Sequence, residues 1–89
     1  MTKNKGVLYI PRTIDLPGGF TVTVNQLKPM QMKTKHGDFY DGIWDIDTMS
    51  VDLNRKLTHK RKWYVFSHEF AHVVNDWMHW LVNKEIAQG

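Results

Sequence analysis

The sequence predicts an α+β fold, in which a small antiparallel sheet packs on one long helix. The first half of the chain alternates polar and apolar residues, as half-buried strands do. From about residue 58 onward, apolar residues recur every three or four positions instead, as on a helix. With 89 residues the chain has room for one domain. We therefore expect a single domain over 1–89, with strands within about 7–53 and the helix over about 58–75.

The strands are predicted from short runs rich in β-branched and aromatic residues that end at turn signals. Pro11 ends the first run, and Pro17–Gly19 is a turn that leads into the second. The last two runs form a hairpin around residues 45–48, because Met49, Val51 and Leu53 share one face of the final strand. In chain order the predicted strands are 7–10, 20–24, 39–46 and 49–53.

The helix is predicted to begin after Thr58, whose hydroxyl can cap the first free backbone N–H groups. Its apolar stripe consists of Trp63, Phe66, Phe70, Val73, Val74 and Trp77. The helical pattern continues at least to Asn75. A short C-terminal helix or turn is expected over about 77–88.

His68-Glu69-Phe70-Ala71-His72 spells H-E-x-x-H inside this helix. The two histidines are one turn apart, about 6 Å along the axis, so both imidazoles can reach one Zn²⁺. Glu69 can then hold and deprotonate a metal-bound water. The chain has no cysteine, so a thiolate zinc site is excluded. A chance match to the motif in an ordinary helix is the competing interpretation.

A catalytic zinc ion needs a third protein ligand, and the residues that follow the motif do not supply one on a straight helix. Asp76 lies about 12 Å and His79 about 16 Å along the axis from His68. Asp76 is better placed to hydrogen-bond His72 or to fix a nearby loop, or it is a solvated residue near the helix end.

Glu85 can reach the histidines only if the chain turns back, with Asn75 or Asn83 ending the helix. It is otherwise an ordinary exposed helix residue. Upstream alternatives are His36, Asp38 and Asp41, if the hairpin folds over the site.

Residues 42–85 resemble the small zincins of the ImmA/IrrE type and their phage-encoded relatives, which are similar to minimal gluzincins. The resemblance is carried by Gly42–Asp45, Met49–Asn54, His68–His72, Val73–Asp76 and Glu85. It implies a minimal zincin-like fold, Zn²⁺ bound by His68, His72 and Glu85, and Glu69 as general base. It also implies that the strand at 49–53 is the edge against which an extended substrate pairs. The metzincin pattern fails, because Asn75 and Met78 replace its glycine and third histidine.

The expected function is that of a zinc metalloprotease, which hydrolyses peptide bonds in a protein or peptide substrate through a metal-activated water. The candidates for the oxyanion donor are Tyr64, His36, Tyr40 and His79, without a ranking. A first alternative is a catalytically weak or inactive zincin-like module of phage or mobile-element origin that contacts a protein or nucleic acid. A second is a metal-free interaction domain that exposes Trp77 and Trp80.

The net charge of +3 is unevenly distributed. Residues 38–52 contain five Asp and no Lys or Arg, whereas five cations lie within Arg55–Lys62. This basic cluster is expected either to pair with the acidic segment as a solvated face or to bind an anionic partner. The chain has neither a membrane span nor a signal peptide's apolar core, so a cytoplasmic location is expected. Its oligomeric state stays open.

Overall fold

A four-stranded sheet packs one face against a single long helix. The computed structural model describes residues 9–88. The α+β prediction is confirmed, since the helix contacts β3 and β4 directly. The elements are β1 (Thr13–Leu16), β2 (Phe20–Leu27), a 3₁₀ helix (Pro29–Met32), β3 (Gly42–Asp45), β4 (Ser50–Asn54) and α1 (His59–Gln88).

The sheet is mixed, with strand order β1-β2-β4-β3. The β1–β2 and β3–β4 pairs are antiparallel hairpins, but β2 and β4 run parallel, with Thr23 opposite Ser50 and Leu27 opposite Asn54. The expectation of a wholly antiparallel sheet is therefore wrong. Residues 28–41 connect β2 to β3 and carry the chain past the position of β4. The β3–β4 hairpin therefore joins the sheet with β4 next to β2 and β3 at the outer edge.

The core lies between the sheet and α1, and alternation along the strands builds it. The inward side chains of β2 and β4 are nearly inaccessible, and they meet apolar residues of the helix. Between these inward positions, Thr21, Thr23 and Asp52 point to the opposite face of the sheet, where the amide of Asn25 donates to Asp52 over 2.9 Å. The principal core residues are Phe20, Val22, Val24, Val51, Leu53, Val65, Phe66 and Val73.

Helix α1 starts as predicted, since the backbone N–H of Arg61 donates to the Thr58 hydroxyl over 3.2 Å. The helix then runs without interruption to Gln88, so the predicted end near 75 and the separate element over 77–88 are wrong. Its second half is held by the turn between β1 and β2. The indole N–H of Trp77 donates to the Pro17 carbonyl over 2.8 Å, and the Lys84 ammonium donates to the Gly18 carbonyl over 3.2 Å.

These contacts also settle where two of the tryptophans lie. Trp77 and Trp80 are half-buried and pack against the core, with the Trp80 ring centre 5.3 Å from that of Phe20. They do not form an exposed docking surface. Among residues 9–88, no helix combines the length and the apolar character of a membrane-spanning segment.

The N-terminal part of the sheet differs from the prediction. Strand β1 was not predicted. The predicted strand at 7–10 falls partly outside the described residues, and Tyr9 and Ile10 are not in a strand, although Ile10 is buried. The 3₁₀ helix Pro29–Met32 lies in a stretch for which no strand was predicted.

Candidate metal centre

The two motif histidines lie on the exposed side of α1, where their rings approach each other. The ring centres of His68 and His72 are 5.1 Å apart and the ring planes are at 82°. Two imidazoles that bind one tetrahedral Zn²⁺ through nitrogens at about 2.0–2.1 Å also have centres about 5 Å apart. The pair therefore fits two positions of a zinc coordination sphere.

Glu69 lies where α1 packs against Gly42 of β3, and the missing side chain of Gly42 makes that approach feasible. A Cβ built on Gly42 would lie 2.5 Å from Val65 Cγ1 and 3.4 Å from Glu69 Cγ. A side chain at position 42 would therefore push the strand off the helix. The missing side chain keeps the β3 backbone beside the half-buried Glu69.

A groove of about 290 Å³ opens between α1 and the start of β3. His68 and Glu69 face this groove together, whereas His72 lies one turn further along the helix and does not line it. The motif therefore borders a recess large enough for a few atoms of a substrate. The lining residues are Asp41, Gly42, Arg61, Tyr64, Val65, His68 and Glu69.

The strand edge beside this groove is β3 and not the predicted strand at 49–53. β4 pairs with β2 on one side and with β3 on the other, so its backbone groups are occupied. Within residues 9–88, β4 is the one strand that pairs with β3, which leaves the outer edge of β3 for a further strand. The expected substrate edge therefore moves to Gly42–Asp45.

Glu85 does not return to the histidines in this structure, and the turn that its predicted ligand role requires is absent. It is exposed on the uninterrupted helix, about 20 Å along the axis from His72. Within residues 9–88, no three His, Asp or Glu side chains are grouped so that they could hold a metal ion. Residues 1–8 contain none of these residue types.

Of the three upstream candidates, Asp41 is the one that lines the groove. Its carboxylate accepts from the guanidinium of Arg61 over 3.2 Å, and this ion pair is half exposed to solvent. His36 and Asp38 belong instead to a turn in which their backbone N–H groups donate to the Thr34 hydroxyl.

Asp76 has a structural partner that the sequence did not indicate. Its carboxylate accepts from the indole N–H of Trp44 over 2.7 Å, in a partly buried contact. This bond ties α1 to β3, the strand that borders the groove. Asp76 was expected to hydrogen-bond His72 or to fix a nearby loop, and its partner is instead the edge strand β3. His79 is exposed further along α1.

Asp76→Ala is expected to reduce the free energy of unfolding by about 1.5–3 kcal/mol, because it removes a hydrogen bond to a charged acceptor and leaves an indole N–H without that partner. Urea unfolding followed by tryptophan fluorescence measures the loss. Asp76→Asn keeps an acceptor oxygen and should lose less. Asp47→Ala, on the exposed β3–β4 turn, serves as control and should stay within about 0.5 kcal/mol of wild type. An unfolding midpoint of Asp76→Ala equal to that of the control would contradict this role.

No family model, curated protein or solved structure matches the chain. The functional interpretation of the site therefore rests on its own residues. They supply a histidine pair at zinc-compatible spacing, a carboxylate beside an edge strand, and a groove lined by His68 and Glu69.

Proposed function

We propose that this chain is a zinc-dependent peptidase of minimal zincin type. His68 and His72 would hold the metal, and Glu69 would serve as general base. The observation that carries the proposal is the spacing of the two imidazoles next to a glutamate that faces a groove at a sheet edge. A histidine pair in an ordinary amphipathic helix has no need of such a neighbour.

The free edge of β3 suits an extended peptide as substrate. A peptide that pairs with Gly42–Asp45 would satisfy backbone groups on that edge, and it would be recognised mainly through its main chain. Because Gly42 lies against Glu69, a peptide on this edge would pass close to the carboxylate. The groove is shallow, so we expect weak discrimination among substrate side chains.

Zinc, when bound, supplies a Lewis acid that polarises the scissile carbonyl and makes an attacking water more acidic. Glu69 would accept the proton of that water and pass it to the leaving amine. Tyr64 is the oxyanion donor in this proposal, because it lines the groove one turn before His68. The other candidates, His36, Tyr40 and His79, do not line it.

The described residues provide two of the three protein ligands that a catalytic zinc site uses. Apart from Glu69, Asp41 is the acidic side chain that lines the groove, and it is the third ligand in this proposal. To serve as one, it would have to give up its ion pair with Arg61 and move toward the histidines. An exposed ion pair of this kind contributes about 0–1 kcal/mol to stability, so breaking it to bind a metal would cost little free energy.

A second candidate function is a zincin-like binding module without catalysis. It is favoured by one observation, that no three ligand-type side chains are grouped within residues 9–88. Such a module would bind zinc through the two histidines alone, more weakly than a site with three protein ligands does. In such a module Glu69 would have no catalytic role.

The distinguishing experiment measures zinc content and peptide hydrolysis on the same preparation. We expect about one zinc per chain after loading, and hydrolysis of labelled casein that is lost on treatment with 1,10-phenanthroline and restored by added Zn²⁺. Bound zinc without hydrolysis would overturn the peptidase and support the binding module. A protein that takes up no zinc at all would overturn both.

A further inference from the structure

Lys and Arg side chains are concentrated at one end of the molecule, which we call the basic end. Residues 9–88 contain ten Lys and Arg residues, and eight of them lie there. Arg12 and Lys84 are the two that lie elsewhere. The basic end comprises Lys28, Lys33, Lys35, Arg55, Lys56, Lys60, Arg61 and Lys62.

The parallel pairing of β2 with β4 creates this concentration. Because Leu27 is opposite Asn54, the residues that follow β2 and β4 lie at the same end of the sheet. There the Arg55 N–H donates to the Leu27 carbonyl over 2.8 Å. The first turns of α1 join them there, since the Lys62 ammonium donates to the Gln26 side chain over 2.8 Å. The cluster Arg55–Lys62 seen in the sequence therefore supplies five of the eight cations of a larger surface.

Little of this charge is neutralised by the protein. Among the described residues, the one ion pair joins Arg61 and Asp41. Six of the eight cations of the basic end, Arg61 not among them, are exposed and have no ion-pair partner. Several of them surround the N-terminus of α1, where positive charge opposes the helix macrodipole. A bound polyanion would relieve both the mutual repulsion and this opposition.

Two exposed aromatic rings lie within the basic end, each beside a cation. Tyr64 is 64% exposed with the Arg61 guanidinium 5.1 Å from its ring centre. Phe39 is 58% exposed with the Lys33 ammonium 5.7 Å from its ring centre. A second groove of about 290 Å³ is lined by Tyr64 together with Thr58, Lys60 and Arg61.

We propose that the basic end binds single-stranded nucleic acid. Proteins that bind single-stranded nucleic acid combine exposed aromatic rings with cations, since bases stack on the rings while phosphates contact the cations. A duplex keeps its base faces stacked and would leave Tyr64 and Phe39 unused. This proposal goes beyond the peptidase and does not depend on zinc.

The test is fluorescence anisotropy of a labelled oligothymidylate of about 15 nucleotides with the full chain. We expect tighter binding than to a duplex of the same length, with an affinity that falls steeply with salt. Lys60→Glu should weaken binding roughly tenfold and lower the salt slope by about 1. The matched control Arg12→Glu changes the net charge equally at an exposed site outside the basic end and should have under about a twofold effect.

Tyr64 allows stacking to be separated from the proposed chemistry. Tyr64→Ala should weaken oligonucleotide binding roughly fivefold or more, whereas Tyr64→Phe keeps the ring and should bind as wild type. Tyr64→Phe should nevertheless slow peptide hydrolysis if the hydroxyl is the oxyanion donor, so the two proposals fail independently. Circular dichroism verifies that each variant is folded, and Phe39→Ala repeats the stacking test on the second ring.

Three results would overturn the proposal. The first is equal affinity for single strand and duplex, and the second is equal weakening by Lys60→Glu and Arg12→Glu. The third is equally tight binding to phosphatidylserine vesicles, which would identify the surface as a membrane-binding patch.

Discussion

Glu69→Gln is expected to lower kcat/KM for peptide hydrolysis by about 10²–10⁴-fold while the zinc content stays unchanged. The amide has nearly the size of the carboxylate but cannot accept the proton of the attacking water. Glu69 is half-buried against β3 and is not one of the proposed ligands, so neither the fold nor the metal should be affected. Steady-state kinetics on labelled casein, with zinc measured by atomic absorption on the same samples, gives both quantities.

Glu85→Gln is the matched control for this variant. It makes the same chemical change on the same helix, at an exposed position about 24 Å along the axis from Glu69. It should hydrolyse the substrate and bind zinc as wild type. Hydrolysis retained by Glu69→Gln would remove the general-base assignment. Zinc lost from Glu85→Gln would restore Glu85 as a ligand and require a helix that breaks.

His72→Ala should lower zinc affinity by more than about a hundredfold, since even groups that only support metal ligands contribute 10–100-fold. His68 and Asp41, the two proposed ligands that remain, would hold zinc much more weakly than three ligands do. Because His72 is exposed and Ala is a good helix former, the free energy of unfolding should change by no more than about 0.5 kcal/mol. Equilibrium dialysis against buffered zinc and urea unfolding measure the two effects.

The comparison for this second variant is His79→Ala, an exposed histidine on the same helix but outside the motif. It should bind zinc as wild type. Stoichiometric zinc in His72→Ala would mean that the metal is held elsewhere, and the same loss in both variants would indicate nonspecific histidine binding.

Local periodicity predicted the elements that depend on local sequence. Alternation identified β2 and the β3–β4 hairpin, and the Thr58 hydroxyl marked the helix start to within one residue. Strand order was beyond this kind of reasoning, because alternation says which face of a strand is buried and not which strand lies next to it. The inside position of β4 depends on how residues 28–41 cross the sheet.

The site was predicted in part, for a similar reason. The face shared by His68 and His72 follows from helix geometry alone. The end of the helix does not, because Asn75 and Asn83 are weak helix breakers and packing overrides such preferences. Trp77 and Lys84 reach carbonyls about 60 residues earlier in the chain, and no local pattern reports contacts of that range. Gly42 could be recognised in the sequence as a strand glycine, but not as the point of contact with Glu69.

Gly42 also determines how β3 can be aligned with its neighbours. A slip by one residue would bring Asp41 or Ile43 to this point, and a slip by two would bring Tyr40 or Trp44. Each alternative would place a Cβ about 2.5 Å from Val65 Cγ1 unless the strand or the helix moved, so each carries a steric cost. The absence of one side chain therefore favours the observed register of this strand. Gly42 also fixes where the outer edge of β3 lies relative to Glu69, so a peptide that pairs with this edge would run past the carboxylate at a set distance.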